Sequence, residues 1–540
     1  MVEQLFPTYT LRIKVLSPVH IGSGERMQQI QWKLENGRLY VLDLESWVQS
    51  VVESGDLKKA SSWTTALEKG RLPQEYAEDW KNWALYDIPC TWRGVEATEI
   101  LPFIQQGGLG TFFPGSSLKG SLRSALLRGI ASLDPNGLKT ISGWLDKELE
   151  LQKPRTHSQE FEAQYFSNND PRSSKWPNYD PRSSKWPNYD INRLWMVRDQ
   201  KLPFDALEAV RVQIFSVSTK TTLIPKPASI FLEVLKPGYE FSTRMVWQSH
   251  LTDNEAESTL GFQKKVQYWL YLAHYCREAA LRLIEQEYHF YDRHIETRVA
   301  DWYQQLYQTA LDLPENAFLL PIGYGSGFDA KTITRMLGKA RFEQVCQTFR
   351  KTHGLGRPGN TLDGQWQGPD DAPKSRKLVL REDEQKLPLG WIEVRMQPAD
   401  EQADWLQTLQ AKFENKPNFP AHRPLGRSAP ASSPASSSVT KPVETPRKRE
   451  EPPRPTLIPE FSELPKPGDR FHGVILDQDE KGVWLEIPGL SADDQAMAFI
   501  PSAELGDKKL SGRNKVLCRV VDVKPDLKQK NFFLVHCALE

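Results

Sequence analysis

The segment at residues 112–128, FFPGSSLKGSLRSALLR, places a Gly-Ser turn directly before a helix that carries basic residues. Ser116 or Ser117 is expected to cap this helix, which would leave first-turn N–H groups at the positive end of the helix dipole. Lys119 and Arg123 add positive charge close to those N–H groups. The segment therefore predicts a phosphate-binding site, for a phosphate of either a nucleotide or a polynucleotide.

A second candidate site for a phosphate is the glycine-rich segment 321–337, PIGYGSGFDAKTITRML. It misses the P-loop pattern of an ATPase because Ala330 stands where the pattern has glycine, and no strand ending in a magnesium-holding Asp follows. Its GxGxG spacing also differs from the dinucleotide-binding fingerprint. An ATPase remains an alternative, to be tested by whether Lys331→Ala removes ATP turnover.

The same glycines would allow a sugar-phosphate backbone to approach the chain closely. Two cations expected one helical turn apart would neutralise that backbone. A loop that merely needs positive φ angles is the other interpretation. The residues concerned are Gly323, Gly325, Gly327, Lys331 and Arg335.

The composition of the 540 residues limits the class of protein. Lys plus Arg and Asp plus Glu both total 69, so any basic surface must be local. Five scattered cysteines without a CxxC pair argue against a disulfide framework and against a structural zinc site. Neither a basic leader with an apolar core nor a membrane-spanning apolar run is evident, so we expect a cytoplasmic protein with no membrane partner.

Hydrophobic patterning indicates an α+β chain. Alternation at 11–16 and at 210–244 predicts strands, whereas 48–151 and 262–311 have mainly helical patterns. The decapeptide DPRSSKWPNY occurs twice in tandem at 170–189. We interpret it as a loop lengthened by slippage, and the alternative is an array that binds a single strand.

The C-terminal part has a different composition. Residues 399–465 are rich in Pro, Ser and charged residues and predict a disordered linker. Residues 466–540 contain five short strand patterns, which is typical of a small all-β barrel.

Four motifs together resemble the RAMP proteins of type III CRISPR effectors. They are LSPVHIGSG at 16–24, FFPGSSLKGSLRSALL at 112–127, PIGYGSGFDAKTITRML at 321–337, and PKSRKLVL with LPLGWIEV within 373–394. Their order and spacing are most similar to the fifth Csm subunits, which cap the filament at the 3′ end of the guide RNA. The resemblance implies a ferredoxin-like (RRM-type) body at 1–398 with helical insertions and a loop insertion at 152–195.

The same resemblance implies crRNA as a ligand and leaves target RNA open as a second ligand. It also implies neighbouring filament RAMP subunits and small helical subunits as protein partners, and no cofactor. The RNA-binding residues that it implies in the body are His20, Gly22, Ser23, Gly24, Ser116, Ser117, Lys119, Arg123, Gly323, Gly325, Gly327, Lys331 and Arg335.

The resemblance also bears on catalysis. In the related filament subunit a loop Asp soon after HIGSG cleaves target RNA, but residues 23–42 contain no Asp. We therefore expect no catalytic residue and no metal. The alternative is a CRISPR RNA-processing endoribonuclease with His20 as general base, although a single His at a strand end is more often structural.

Residues 466–538 resemble an S1-type OB-fold. In such domains aromatic side chains on the second and third strands stack with bases, and Trp484 and Phe499 occupy these positions. Lys515 is expected to contact the RNA backbone. The resemblance implies a second RNA-binding domain.

Overall fold

The computed structural model describes residues 7–56, 80–93, 97–106, 110–151, 190–219, 222–252, 265–338, 375–381, 385–399, 417–425, 464–479, 482–487, 496–502, 515–525 and 533–539, with isolated residues between several of these ranges. The duplicated decapeptide lies outside the described residues. The chain divides into two compact units, a body that holds the described residues up to 425 and a barrel unit that holds those from 464 onward.

Helices and strands alternate along the body. The helices are α1 (Leu44–Glu53), α2 (Gly115–Leu133), α3 (Pro135–Leu151), α4 (Val266–Leu270), α5 (Leu272–Arg293) and α6 (Thr297–Asp312). The strands are β1 (Thr8–Val15), β2 (Met27–Gln28), β3 (Trp32–Glu35), β4 (Arg38–Leu42), β5 (Ala84–Pro89), β6 (Glu99–Ile100), β7 (Gln105–Gln106), β8 (Gly110–Phe113), β9 (Trp195–Val197), β10 (Gln200–Lys201), β11 (Leu207–Thr219), β12 (Thr222–Leu235), β13 (Glu240–Trp247), β14 (Ala317–Pro321), β15 (Ser375–Leu380), β16 (Lys386–Pro388) and β17 (Trp391–Pro398).

The main sheet of the body has five antiparallel strands in the order β14-β17-β1-β13-β9. The central strand β1 alternates as its sequence predicts: Leu11, Ile13 and Val15 are buried, while the residues between them are exposed. The buried side chains share one hydrophobic core with helix α2, which contributes Leu118 and Leu122. The first motif, residues 16–24, follows β1 directly and therefore begins at the central strand of the sheet.

A second antiparallel sheet has the order β12-β11-β15-β16. Its long hairpin β11–β12 buries Val210, Val212 and Leu232 on one face. The predicted helical stretch 48–151 is partly wrong, because β5 to β8 lie within it. Short strands bounded by Pro and Gly have little periodicity to distinguish them from helix turns.

Helices α5 and α6 pack against each other and against the main sheet. Tyr291 of α5 and Tyr303 of α6 stack with ring centroids 5.6 Å apart. Both are fully or nearly fully buried, as the aromatic-rich helical pattern predicts. No helix among the described residues is long and apolar enough to cross a membrane.

Residues 417–425 pack on the helices of the body, which differs from the linker predicted over 399–465. Phe419 stacks on His274 at 5.0 Å and meets Tyr275 edge-on at 5.2 Å. His422 Nε2 hydrogen-bonds Glu278 Oε2 at 2.7 Å. Composition alone did not distinguish this stretch because its two anchoring side chains lie among Pro, Ala and Asn residues.

The barrel unit contains β18 (Arg470–Asp479), β19 (Gly482–Glu486), β20 (Ala496–Pro501), β21 (Lys515–Pro525) and β22 (Phe533–Leu539). They close into a barrel in the order β18-β19-β20-β22-β21, in which only β20 and β22 pair in parallel. Phe471, Leu485 and Val535 belong to its buried core. The five strands follow the five predicted patterns.

Candidate nucleic-acid interface

The first motif forms the loop that leaves strand β1. Leu16 and Ser17 donate backbone N–H bonds to the Trp391 carbonyl, and Val19 exchanges two backbone bonds with Leu235. The loop is therefore held by both sheets. Beyond these anchors Gly22, Ser23 and Gly24 are exposed.

His20 supports this loop from beneath and does not lie on its surface. Only 3% of its area is exposed, and its Nδ1 hydrogen-bonds the Glu233 carbonyl at 2.7 Å. Burial lowers the pKa of His20, although the bond to the carbonyl opposes this effect, so the imidazole is neutral near pH 7. The sequence prediction of a direct RNA contact is corrected for this side chain. A side chain at Gly22 would begin 2.6 Å from His20 Nε2, so the ring and the loop are tightly packed.

The glycine-rich segment lies directly against the same loop. Tyr324 N–H donates to the His20 carbonyl at 2.8 Å. Gly323 has a φ of +76°, and a Cβ there would lie 2.3 Å from that carbonyl oxygen, so only glycine fits. Two motifs that are about 300 residues apart in sequence thus form one continuous surface, which also includes Gly325 and the exposed Gly327.

The two cations after the glycines do not have the predicted helical spacing. Lys331 is exposed but lies in a turn, and the next helical element is the 3-10 turn Thr334–Leu337. Arg335 lies in that turn, and its side chain is outside the described part of the structure. Asp329, which follows the glycines, is buried with 6% exposure and does not lie on the surface.

A buried polar cluster beneath the first loop was missed by sequence reasoning. Glu233 is fully buried, and its carboxylate accepts hydrogen bonds from the Phe103 N–H at 2.9 Å and from the Tyr86 hydroxyl at 2.8 Å. Gln105 Nε2 donates to the same hydroxyl at 2.7 Å. Burial raises the pKa of Glu233 to about 7, although both hydrogen bonds oppose the shift. A Glu within an alternating strand pattern gave no signal of this role.

The predicted serine cap of the second motif is wrong. Helix α2 begins at Gly115 with Pro114 as its N-cap residue, which forms no side-chain capping bond. Instead the Gly115 N–H donates to Asp199 Oδ1 at 2.8 Å. One first-turn donor therefore already has an anionic partner. Ser116 is exposed and Ser117 is half-buried within the first turn.

The cations of helix α2 are also partly engaged within the chain. Arg123 forms ion pairs with Glu162 at 2.6 Å and with Asp190 at 3.2 Å. Lys119 is half-buried, and desolvation lowers its pKa although Asp190 opposes that shift. Unlike Arg123, Lys119 has no carboxylate within ion-pair distance among the described residues.

Backbone contacts bring the start of helix α2 close to the other two motifs. Ile104 N–H donates to the Ile21 carbonyl at 2.7 Å, and Phe112 N–H donates to the Ile104 carbonyl at 3.5 Å. At the other side, buried Arg128 of helix α2 donates to the Ala330 carbonyl at 3.1 Å. The three motifs are therefore parts of one region of the body.

The barrel unit carries a separate aromatic pair. Trp484 and Phe499 face each other across β19 and β20, with ring centroids 4.4 Å apart, and both are half-buried. His536 of β22 meets Phe499 edge-on at 6.1 Å. Lys515 opens strand β21, and its side chain is outside the described residues.

Within the described part of the chain, no group of three or more His, Cys, Asp or Glu side chains is arranged to hold a metal ion. The surface built from the three motifs instead presents glycine backbone, hydroxyls and lysines. These groups can accept a sugar-phosphate backbone without a metal ion.

Comparison with known proteins matches residues 12–328 to the family described as the RAMP superfamily. A curated relative, the CRISPR system Cms protein Csm5 of Methanocaldococcus jannaschii, is 25% identical over 131 residues. That match covers 22% of this chain and 30% of the relative, so it spans less than a third of the relative's length.

Two solved structures are similar to the chain. A chain of the cryo-EM structure of a Csm–crRNA–target RNA ternary complex from a type III-A CRISPR-Cas system matches with a TM-score of 0.52 and 22% identity, over 72% of this chain and 100% of that chain. The crystal structure of T. onnurineus Csm5 matches with a TM-score of 0.46 and 18% identity, over 71% and 99% of the two chains. The match to the chain of the ternary complex shows a similar fold over most of this chain.

Proposed function

Because this chain belongs to the RAMP superfamily, we propose that it is a non-catalytic RNA-binding subunit of a type III-A CRISPR effector complex. It binds crRNA, caps the filament at the guide 3′ end and contributes to crRNA maturation, assembly and antiviral defence. Its partners are the neighbouring filament RAMP subunits and the small helical subunits. The names of the curated relative and of the ternary complex support this assignment.

One observation carries the proposal: the loop after β1 and the glycine-rich segment meet at the His20 backbone. Their exposed glycines, Gly22, Gly24 and Gly327, have no side chains to hold RNA away from the backbone. Ser23 and Lys331 add a hydroxyl donor and a positive charge at the same surface. Contacts of this kind bind the RNA backbone independently of sequence.

We infer that the body is a ferredoxin-like (RRM-type) domain. Four of its main-sheet strands, β17-β1-β13-β9, have the order fourth, first, third and second, with α2 after the first and α5 after the third. Strand β14 extends this sheet at one edge. The proposed domains are a body at 1–398, a linker at 399–465 and a barrel domain at 466–540. Within the linker, residues 417–425 pack on the body.

We infer that the barrel domain is an S1-like OB-fold with its own RNA contacts. A closed five-stranded barrel of this size supports the assignment. The Trp484–Phe499 pair provides a stacking surface, and stacking contributes roughly 1 to 3 kcal/mol per base. Trp484→Ala should weaken binding of single-stranded RNA by the full chain by that amount, measured by fluorescence anisotropy. The exposed Val521→Ala variant on β21 should leave binding unchanged.

The non-catalytic assignment follows from the position of His20. A general base must reach the proton that it removes, but this ring is 97% buried and its Nδ1 is engaged by the Glu233 carbonyl. Incubation of labelled repeat and guide RNA with the purified chain should give no cleavage. Cleavage that is abolished by His20→Ala would establish the endoribonuclease instead.

The test of RNA binding is the affinity of the purified chain for labelled guide RNA over a series of salt concentrations. The wild type should bind with an affinity that falls as salt rises, since phosphate contacts release counterions. Lys331→Ala and Lys119→Ala should each lower the affinity and flatten its salt dependence, whereas Arg12→Glu on the exposed side of β1 should not. A wild-type chain without salt-dependent RNA affinity would overturn the proposal.

A further inference from the structure

A groove of about 1000 Å³ opens on the second sheet, and none of its lining residues belongs to the interface described above. Alternate residues of β11, Arg211, Gln213 and Phe215, line it from the sheet. Further lining residues come from 91–93, after β5, and from 296–298, at the start of α6.

The groove is strongly basic. Its lining contains one carboxylate, Glu296, and five cations, namely Arg93, Arg211, Arg298, Arg381 and Lys386. Lys386 pairs with Glu296 at 2.6 Å. Arg381 pairs with Glu208 through two hydrogen bonds, at 2.9 and 2.5 Å. These two cations are therefore neutralised within the chain.

Two of the remaining cations are not neutralised by the described residues. Arg211 donates only to neutral groups, the Ser229 hydroxyl at 3.0 Å and Gln213 Oε1 at 3.2 Å. Arg298 is exposed and forms no ion pair with any described residue. Positive charge held without a carboxylate in a concave surface favours an anionic ligand.

Two buried donors in the lining support a ligand independently of charge. Trp92 is 94% buried, and its indole Nε1–H has no hydrogen-bond partner among the described residues. The Thr91 hydroxyl next to it is likewise buried without a partner there. An unpaired buried donor destabilises the fold, so an acceptor oxygen from a ligand would stabilise this site.

Part of the lining is apolar. Phe215, Leu223 and Leu380 are buried or half-buried beneath the cations, and Lys386 lies over the Phe215 ring at 4.9 Å. A single phosphate would fill little of this volume and would leave the apolar surface uncovered. Ribose and base surfaces cover such a face, while their phosphates meet the arginines.

We propose that this groove is a second binding site in the body for single-stranded RNA. Arg211 and Arg298 contact phosphates, and the Trp92 indole N–H donates to a ribose or base oxygen. The inference rests on the proposed RNA-binding function. It adds a second site for a segment of the RNA, away from the glycine loops.

The experiment compares the full-length wild type with an Arg211→Gln/Arg298→Glu double variant. Gln at 211 can still hydrogen-bond Ser229 and Gln213, and Arg298 is exposed, so thermal melting should show an intact fold. Anisotropy with fluorescein-labelled oligouridine over a salt series should show binding at least about tenfold weaker and a salt slope shallower by about 1.4, about 0.7 for each of the two phosphate contacts that are lost. Arg12→Glu, which reproduces the charge reversal at 298 but lies outside the groove, should behave like the wild type.

A wild type with no salt-dependent RNA affinity would refute the proposed function itself. A wild type that binds and a double variant that binds equally well would overturn only the groove. The groove would also be overturned if the double variant lost affinity for inorganic phosphate but bound RNA unchanged, since the ligand would then be a small anion. Photo-cross-linking with RNA that contains 4-thiouridine should label peptides with Trp92 or Phe215, and label confined to other peptides would contradict the proposal.

Discussion

At the scale of single residues, the His20 ring and the Glu233 side chain are both buried beneath the first loop. Whether a His ring at a strand end points outward or inward depends on what packs beneath it, and the HIGSG pattern does not contain that information. Here the Glu233 carbonyl, 213 residues away in sequence, holds the ring inside. Glu233 itself could not be found from the sequence because its partners, Tyr86 and Phe103, are brought together only by the fold.

The Glu233 carboxyl group gives a prediction for the pH dependence of stability. Its pKa is raised from 4.5 to about 7, so the folded state retains this proton after the unfolded chain has released it. Folding stability should therefore fall as pH rises from about 5 to about 8, by an amount on the order of 3 kcal/mol. Chemical unfolding of Glu233→Gln and wild type at several pH values measures the difference.

The comparison of Glu233→Gln with the wild type largely cancels the contribution of His20 to the pH dependence of stability, because both proteins contain His20. The lowered pKa of His20 changes stability with pH in the direction opposite to the raised pKa of Glu233. The control is Glu240→Gln, at an exposed carboxylate on β13, which should keep the wild-type pH profile. A Glu233→Gln variant with the same profile as the wild type would show that this carboxyl is ionised in the folded protein.

At the scale of elements, helix α2 shows what local sequence could and could not predict. Its buried face contains Leu118, Leu122 and Leu126, which recur at the helical spacing of four residues. Its N-terminal contact was missed because the acceptor, Asp199, lies 84 residues further along the chain. A helix cap can be predicted from local sequence only when the capping side chain is close to the helix start in sequence.

Two glycines in helix α2 offer a matched pair of substitutions. Gly115→Ala should destabilise the body, because its Cβ would lie 2.2 Å from the Val197 carbonyl oxygen and backbone atoms would have to shift. Gly120→Ala meets open space and should stabilise the helix by about 1 kcal/mol. Thermal melting of both variants tests this pair, and equal melting temperatures would mean that the helix start is not packed as described.

The segment 417–425 gives a second prediction at this scale. Phe419→Ala should lower the free energy of unfolding of the body by about 1 to 3 kcal/mol, because it removes the contacts with His274 and Tyr275. Arg423→Ala, at an exposed position in the same segment, should have little effect. Denaturant unfolding followed by tryptophan fluorescence measures both, and an unchanged Phe419→Ala variant would show that the segment does not stabilise the body.

At the scale of the whole molecule, the order of strands and motifs could be predicted from the sequence. Side-chain contacts between distant residues could not. The α+β class and the five barrel strands follow from alternation and turn residues, and membership of the RAMP superfamily follows from four spaced motifs. The meeting of the first loop with the glycine segment was not predictable from periodicity, since it depends on β14 and β17 extending the sheet beyond β1. The basic groove likewise combines residues from the segment after β5, from β11 and from the start of α6, and no motif connects them.

The place of the chain at the guide 3′ end is tested most directly by photo-cross-linking in the reconstituted effector complex. Guide RNAs would carry a single 4-thiouridine near either the 3′ or the 5′ end, and cross-linked peptides would be identified by mass spectrometry. We expect the 3′ probe to label peptides from 17–24 and 321–331 of this chain and the 5′ probe to label other subunits, a result that would support the placement at the guide 3′ end. Labelling of these peptides by the 5′ probe alone, or by neither probe, would contradict it.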